Sequence, residues 1–201
     1  MGTELLEKPG ETAFMPRPRR WTNADFECMI KIGLFHEKRA ELIDGEIIEI
    51  SPMREPHAHS LALTHAHIAL IFPLPEWIIR NQSPFFVGEG YRPEPDLAVV
   101  RRADLIAGSP PSSASLIIEI SDSTLRYDRT DKASLYARAG VEDYWIVNVA
   151  ERVLEVRRAP RPDATARFGF GYGSLQTLGE EARIAPLCAS DGAISVGDLL
   201  G

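Results

Sequence analysis

The residues best suited to chemistry in this sequence are three charged side chains on consecutive predicted elements: Asp96, Glu119 and Lys132. Asp96 immediately precedes an apolar run, and Glu119 lies within the next one. A carboxylate in a buried strand is costly unless a partner neutralises it, and a divalent cation is an effective partner. Two carboxylates that bind Mg²⁺ or Mn²⁺, with a lysine nearby, can hydrolyse a phosphodiester bond. The sequence therefore predicts a metal-dependent hydrolytic site, with the carbonyl of Ile120 as a further oxygen ligand.

A strand–helix–strand unit is predicted to position the second acid and the lysine. Apolar runs at residues 115–120 and 143–149 indicate buried strands, and the stretch of about 126–139 between them is typical of a helix. Gly140 is well placed to end that helix. Such a unit implies a right-handed crossover between two parallel neighbours in one sheet.

One face of the predicted helix combines Asp128, Lys132 and Tyr136, which are spaced i, i+4 and i+8. The lysine side chain is long enough to reach back across the junction between strand and helix. Asp128 could instead be an acidic residue near the helix N-terminus, where the helix dipole favours it. Tyr136 could be a packing residue. Both are therefore expected as supporting residues of the site.

The pair Asp44-Gly45 between two apolar runs is a strong signal for a β-hairpin. It predicts antiparallel strands near residues 40–43 and 46–50. The other predicted elements are helices near 22–33 and 59–72, strands near 85–87, 97–101 and 153–157, and loops at 104–114 and 158–173. The pattern of elements predicts an α/β (α+β) fold with an N-terminal β-hairpin.

Length and composition indicate one domain. The chain has 201 residues, of which 44% are hydrophobic, and we expect a single core at residues 21–201. Residues 1–20 are rich in proline and charge and are expected to form a poorly ordered arm. No apolar stretch approaches the roughly 20 residues of a membrane span, and the N-terminus does not resemble a signal peptide. Cys28 and Cys188 form no metal-like pair, so a cytoplasmic protein with free thiols is expected.

Four histidines, at positions 57, 59, 65 and 67, raise the question of a zinc site. No two of them have the i, i+4 spacing of a helical zinc site, and i, i+2 pairs point to different sides of a helix. Zinc is therefore not predicted. His59, near the start of the predicted helix and after the hairpin, is expected to line the cleft.

An ordered series of motifs resembles one known family. The series consists of Pro95-Asp96, Glu119-Ile120-Ser121, Asp128-Arg129-x-x-Lys132-x-x-x-Tyr136 and Tyr144-Trp145-Ile146-Val147. It resembles the Uma-type restriction endonucleases, a branch of the PD-(D/E)XK nuclease superfamily. The upstream segments Glu41–Glu46, Ser51-Pro52 and His59-Ser60 also fit the family's pattern, so the similarity runs from about residue 22 to 157.

This resemblance implies a restriction-endonuclease-like fold, a mixed central β-sheet flanked by helices. It also implies that Asp96 and Glu119 are metal ligands and that Glu41 is the acidic residue of the first motif. The parent superfamily has its lysine two residues after the second acid, where this chain has Ser121. In the Uma-type branch the lysine has moved to the following helix, and Lys132 fits that place.

Several of these residues also have purely structural interpretations. Asp96 could cap a turn before its strand, and Glu119 could form an ion pair with Lys132 without any metal. Glu41 could be an exposed residue of the hairpin. These alternatives stay open at the level of sequence.

Three functions are compatible with the sequence. The first is a Mg²⁺- or Mn²⁺-dependent endonuclease that hydrolyses DNA phosphodiester bonds, with a homodimer as the default assembly. The second is a catalytically inactive nuclease-fold protein that acts as a binding or interaction module. The formal net charge of −7 and the serine at position 121 favour this second function modestly. The third is a metal-dependent hydrolase with a substrate other than DNA.

Overall fold

The computed structural model describes residues 17–36 and 38–201. Of the arm predicted at residues 1–20, positions 1–16 lie outside the described residues, and 17–20 form neither helix nor strand. Helix α1 (Asn23–Lys31) follows. Thr22 caps it, because its hydroxyl accepts from the backbone N–H of Asp25 while the Asp25 carboxylate accepts from the N–H of Thr22.

The predicted hairpin is confirmed. Strands β1 (Arg39–Ile43) and β2 (Glu46–Ile50) pair antiparallel around Asp44-Gly45, whose residues both have positive φ angles. Helix α2 (Glu55–Ile71) follows the hairpin and begins four residues before the predicted start. The earlier start places His57 in the first turn of the helix.

A six-stranded mixed sheet forms the centre of the fold, as predicted. Its strands in spatial order are β3 (Trp77–Asn81), β4 (Leu97–Arg101), β5 (Leu116–Ser121), β6 (Asp143–Asn148), β7 (Val153–Pro162) and β8 (Phe170–Gly179). Only the β5–β6 pair is parallel among these strands. The predicted parallel crossover is therefore present, and its connection is helical.

The connection between β5 and β6 is one continuous helical stretch with an irregular middle. It consists of α3 (Leu125–Tyr127), a π-helical turn (Asp128–Lys132) and α4 (Ala133–Arg138). Gly140 follows with φ of +76°, a conformation that suits glycine at a helix C-terminus. The prediction of a single helix at 126–139 is correct in extent but does not foresee the π turn.

Helices cover both faces of the sheet. Side chains alternate along β5, so Ile118 and Ile120 pack in one core cluster with Ile68 of α2. Ile117 packs on the other face with Tyr136 of α4. After β8 the chain adds the short strands β9 (Arg183–Ile184) and β10 (Ile194–Ser195) and helix α5 (Gly197–Leu200), whose Leu199 belongs to the first cluster.

Two local predictions are wrong. The strand predicted at 85–87 is absent, because its backbone bonds to two separate segments: the N–H of Phe85 donates to Pro93 and that of Phe86 to Pro111. The strand neighbouring β4 is β3 instead. The predicted loop at 158–173 is largely strand, since β7 and β8 form a long hairpin that tolerates Pro160 and Pro162 next to the sheet edge. Among the described residues, no helix is both long and apolar enough to cross a bilayer.

The turn of the first hairpin also fixes the chain before α1. The N–H of Trp21 donates to the carbonyl of Gly45 (2.9 Å), and the N–H of Gly45 donates to the carbonyl of Gly90 (2.9 Å). A Cβ at Gly45 would lie 2.7 Å from Cβ of Arg20 and 3.1 Å from the backbone of Trp21. Position 45 therefore combines a positive φ with a close approach.

We expect Gly45→Ala to destabilise the protein more than Gly108→Ala. Both glycines have positive φ, of +68° and +80°, but a Cβ at Gly108 meets nothing within 4 Å. Gly108→Ala should therefore cost only the backbone strain, about 1 kcal/mol. Gly45→Ala should cost at least about 1 kcal/mol more, from the steric conflict. Urea unfolding measures both, and equal losses would show that the close approach at Gly45 carries no energetic weight.

Candidate functional site

The two predicted acids lie side by side at one end of the ladder between β4 and β5. Leu97 pairs with Ile118 in that antiparallel register, so Asp96 lies opposite Glu119. The N–H of Asp96 donates to Oε2 of Glu119 (3.3 Å), and the N–H of Ile120 donates to Oδ2 of Asp96 (2.9 Å). Both side chains are buried, with 6% and 2% exposure. The predicted adjacency of the two carboxylates is therefore present.

Lys132 reaches back from the π turn to the second acid. Its Nζ lies 2.9 Å from Oε1 of Glu119 and 3.1 Å from Oε1 of Glu41, and the lysine is itself buried. Tyr136, one turn further along the helix, donates its hydroxyl to the same Oε1 of Glu119 (2.7 Å). Lys132 thus holds two carboxylates together at the centre of the site.

Glu41 enters the site from β1 and is not an exposed hairpin residue. Its Oε1 accepts a hydrogen bond from the backbone N–H of Glu94 (2.8 Å), and its Oε2 accepts one from the hydroxyl of Tyr127 (3.2 Å). Only 1% of Glu41 is exposed. The hairpin therefore packs against the sheet so that its acid faces the helical connection.

Asp128 and Ser121 contact each other and not the other acids. The hydroxyls of Ser121 and Thr124 both donate to Oδ2 of Asp128, at 2.5 Å and 2.6 Å. Asp128 begins the π turn, a feature that often marks functional sites because it changes which side chains share a face. Here it aims Asp128 and Lys132 inward together.

The histidine of the cleft is His57, and the expectation for His59 is wrong. His57 lies in the first turn of α2, with Nε2 at 3.2 Å from Oδ1 of Asp96, and Gln82 donates to the same oxygen (3.0 Å). His59 is exposed and lies beside Gly201, away from the acids. Sequence reasoning missed His57 because it began the helix at 59. The Pro56 in the first turn was the signal for the earlier start.

The buried charges at the site do not balance. Four carboxylates, those of Glu41, Asp96, Glu119 and Asp128, are each 6% exposed or less, and Lys132 is the one comparably buried cation among the described residues. Buried carboxylates in such excess repel one another and favour either protonation or a further cation.

The pKa values reflect this imbalance. Burial alone would raise the pKa of Asp96, but the hydrogen bond and attraction of His57 and the charge of Lys132 outweigh it and lower that pKa to about 2. Burial and the neighbouring carboxylates raise the pKa of Glu119 well above its usual 4.5, against the attraction of Lys132. Burial would lower the pKa of Lys132, but the surrounding carboxylates raise it well above 10.5, so the lysine is charged.

The donor set suits a small hard cation better than a transition-metal cage. In the part of the chain from 17 to 36 and 38 to 201, no three His, Cys, Asp or Glu side chains converge as a complete metal cage. Mg²⁺ needs only one or two carboxylates, since it keeps several of its waters. The cleft beside Asp96, Glu119 and Lys132 has a volume of about 50 Å³, and a water in the liquid takes about 30 Å³.

Comparisons with known proteins found one matching family and a solved structure with a similar fold. The sequence matches the Uma2 family, described as "Putative restriction endonuclease", over residues 24–184. A solved structure described as "a putative nuclease belonging to DUF820" from Anabaena variabilis is similar with a TM-score of 0.61 and 16% identity, and the match covers 80% of this chain and 89% of that chain. At this identity the structural likeness establishes the fold alone. No protein of curated function matches the sequence.

We expect Lys132→Met to destabilise the protein by about 3–5 kcal/mol, because it leaves buried carboxylates without their cation. Glu119→Gln in the same chain should restore part of the loss, since it removes one of those carboxylates. The free energies of unfolding of the two single variants and the double variant measure the coupling, and purely additive losses would contradict it.

A surface pair provides the control for that cycle. Lys38 and Glu49 are 2.6 Å apart, and their side chains are 59% and 57% exposed. Lys38→Met should change stability by less than about 1 kcal/mol, because water screens the pair.

Proposed function

Because this chain belongs to the Uma2 family of restriction-endonuclease-like proteins, we propose that it is a divalent-metal-dependent endonuclease that hydrolyses DNA phosphodiester bonds. One observation carries the proposal: four buried carboxylates lie near the end of the β4–β5 ladder with a single buried lysine, Lys132, which contacts two of them. An ion pair alone does not account for that excess of negative charge. Protonation of Glu119 would reduce it, and a divalent cation would offset it while keeping both ligands ionised.

Asp96 and Glu119 would hold Mg²⁺ or Mn²⁺, with the carbonyl of Ile120 as a further ligand. The lowered pKa of Asp96 supports this role, because the carboxylate is ionised at neutral pH. Such a cation, when bound, supplies Lewis-acid polarisation of the phosphate and lowers the pKa of the attacking water.

Lys132 would stabilise the negative charge that develops on the phosphate. Its ammonium is charged, buried and held in place by Glu119 and Glu41, so little reorganisation would be needed during the reaction. Glu41 would act chiefly by positioning that ammonium, and Tyr136 by fixing Glu119 through its hydroxyl.

His57 would orient the Asp96 carboxylate together with Gln82, since both contact its Oδ1. Asp128 and Ser121 would support the site from a distance by closing the first turn of the helical connection with a hydrogen bond. Neither of these two residues contacts Asp96, Glu119 or Glu41 in the hydrogen bonds of the described chain.

A homodimer and a cytoplasmic location complete the proposal. Cleavage of both strands of a duplex needs two sites, which a pair of identical chains would supply. Cys28 and Cys188 are free thiols on the surface, in keeping with a reducing compartment.

The alternative is a nuclease-fold protein without catalytic activity. One observation favours it: both oxygens of Glu119 already accept hydrogen bonds from protein donors, namely Lys132 and Tyr136 on Oε1 and the N–H of Asp96 on Oε2. A carboxylate satisfied in this way could serve the fold alone.

We expect Asp96→Asn to abolish metal-dependent DNA cleavage, with a loss of at least about 100-fold, and to weaken Mn²⁺ binding in calorimetry. The substitution keeps the size of the side chain but turns one acceptor oxygen into a donor, so thermal unfolding is measured as well, and a retained cooperative transition shows that the fold is intact. Asp104→Asn is the matched control, because Asp104 is exposed and follows the opposite end of β4.

Two results would decide against the proposal. Cleavage that survives Asp96→Asn would exclude the assigned metal site. A wild-type protein that neither binds Mn²⁺ nor cuts single- or double-stranded DNA would instead support the inactive alternative.

A further inference from the structure

A second and larger cavity, of about 940 Å³, opens beside the candidate cleft. Its walls come from β2, from the helical connection at residues 123–134 and from the β7–β8 hairpin, and we call it the arginine groove. The name refers to the four arginines that line it: Arg126, Arg129, Arg157 and Arg167. No residue of the proposed metal site lines this groove.

The arginine groove and the cleft share a wall. Ser51, Thr124 and Tyr127 line both of them. The hydroxyl of Tyr127 points to the cleft side, where it donates to Glu41. The groove therefore lies directly beside the cleft, with Tyr127 in the wall between them.

The charge and hydrogen-bonding capacity of the groove suit an anion. Its lining holds four arginines against three acids, a net charge of about +1 in a chain of net charge −7. Within the described residues Arg126 forms no salt bridge, whereas Arg129, Arg157 and Arg167 do. Arg126 is also exposed, so among the four arginines it is the best placed to bind an anion.

The groove also offers apolar and hydroxyl surface. Phe170 and Tyr127 are half-buried in its wall, so parts of their rings are open to a ligand. Thr130 and Ser134 add hydroxyls, which commonly contact phosphate and sugar. Arginines interleaved with aromatic rings in a concave surface are typical of sites for unpaired nucleotides.

We propose that the arginine groove binds a single nucleic-acid strand next to the bond that is cleaved, so that the protein prefers single-stranded or flapped DNA to a blunt duplex. This inference rests on the proposed nuclease function and adds the form of its substrate. Unpaired bases present the faces that Phe170 and Tyr127 can stack on, whereas the bases of a duplex are already stacked. The net charge of −7 also disfavours the broad electrostatic contact that a duplex needs.

The test is fluorescence anisotropy of the wild-type chain in EDTA, with a labelled single-stranded oligodeoxynucleotide and a blunt duplex of the same sequence. EDTA prevents cleavage, so binding is measured alone. We expect the single strand to bind at least about tenfold more tightly than the duplex. Arg126→Glu should weaken single-strand binding by about tenfold, because it replaces a phosphate contact by a repulsion, and Arg126→Lys should recover most of the loss.

Arg102→Glu is the matched control, since this substitution changes the charge by the same amount. Arg102 is exposed and follows the end of β4 that lies away from Asp96. The substitution should change the affinity by less than about twofold, as expected for a charge far from the ligand. Circular dichroism of each variant shows whether the fold is intact. The inference is overturned if the duplex binds as tightly as the single strand, or if Arg102→Glu weakens binding as much as Arg126→Glu.

The outcomes also separate this inference from the proposed function. Single-strand binding that depends on Arg126, in a protein that never cleaves DNA with Mn²⁺, supports the groove and rejects the nuclease. Metal-dependent cleavage of a duplex, with binding indifferent to Arg126, supports the nuclease and rejects the groove.

Discussion

The burial of the Glu119 carboxylate is the constraint on which the rest of the site depends. Side chains alternate along β5, so the two isoleucines that flank Glu119 fill one core cluster and send the acid to the other face. That face is covered by the helical connection, which leaves only 2% of Glu119 exposed. Such a group is tolerated only if donors surround it. Lys132, Tyr136 and the N–H of Asp96 supply them.

This demand explains the irregular helix. Lys132 ends the π turn and Tyr136 lies in α4, yet both side chains reach the same oxygen of Glu119. The turn is fixed from outside as well, because the guanidinium of Arg129 binds the carboxylate of Glu155 on β7 at 2.6–3.1 Å. The π turn is therefore held on one side by Glu119, in the middle of the sheet, and on the other by the Arg129–Glu155 ion pair.

The parts of this fold that sequence predicts are those that local signals determine. Asp44-Gly45 specifies its hairpin through backbone conformation, and the β5–helix–β6 unit follows from the hydrophobic pattern and Gly140. The juxtaposition of Asp96 with Glu119 follows once their strands are neighbours. Strand β3 was not predicted, and the lengths of β7 and β8 were underestimated. These features depend on pairing between distant segments, which a local pattern cannot reveal.

The same distinction applies within the site. Glu41 and Lys132 come from segments about 90 residues apart, and only the family pattern suggested that they meet. His57 was missed for a local reason, because the predicted helix starts four residues too late. The true start places His57 in the helix, where its side chain reaches Asp96. A shift of that size at a helix end is small for the fold and decisive for a site.

Tyr127 connects the two cavities physically. Its ring lies 5.7 Å from Nζ of Lys132, its hydroxyl donates to Glu41, and its side chain lines both the cleft and the arginine groove. Burial and the charge of Glu41 raise its pKa, so the hydroxyl keeps its proton and stays a donor. A ligand that contacts Tyr127 from the groove therefore touches the hydrogen-bond network that holds Lys132 in place. The wall of the groove and the position of the lysine are parts of one network, because Tyr127, one of the residues that line both cavities, also holds the acid that anchors the lysine.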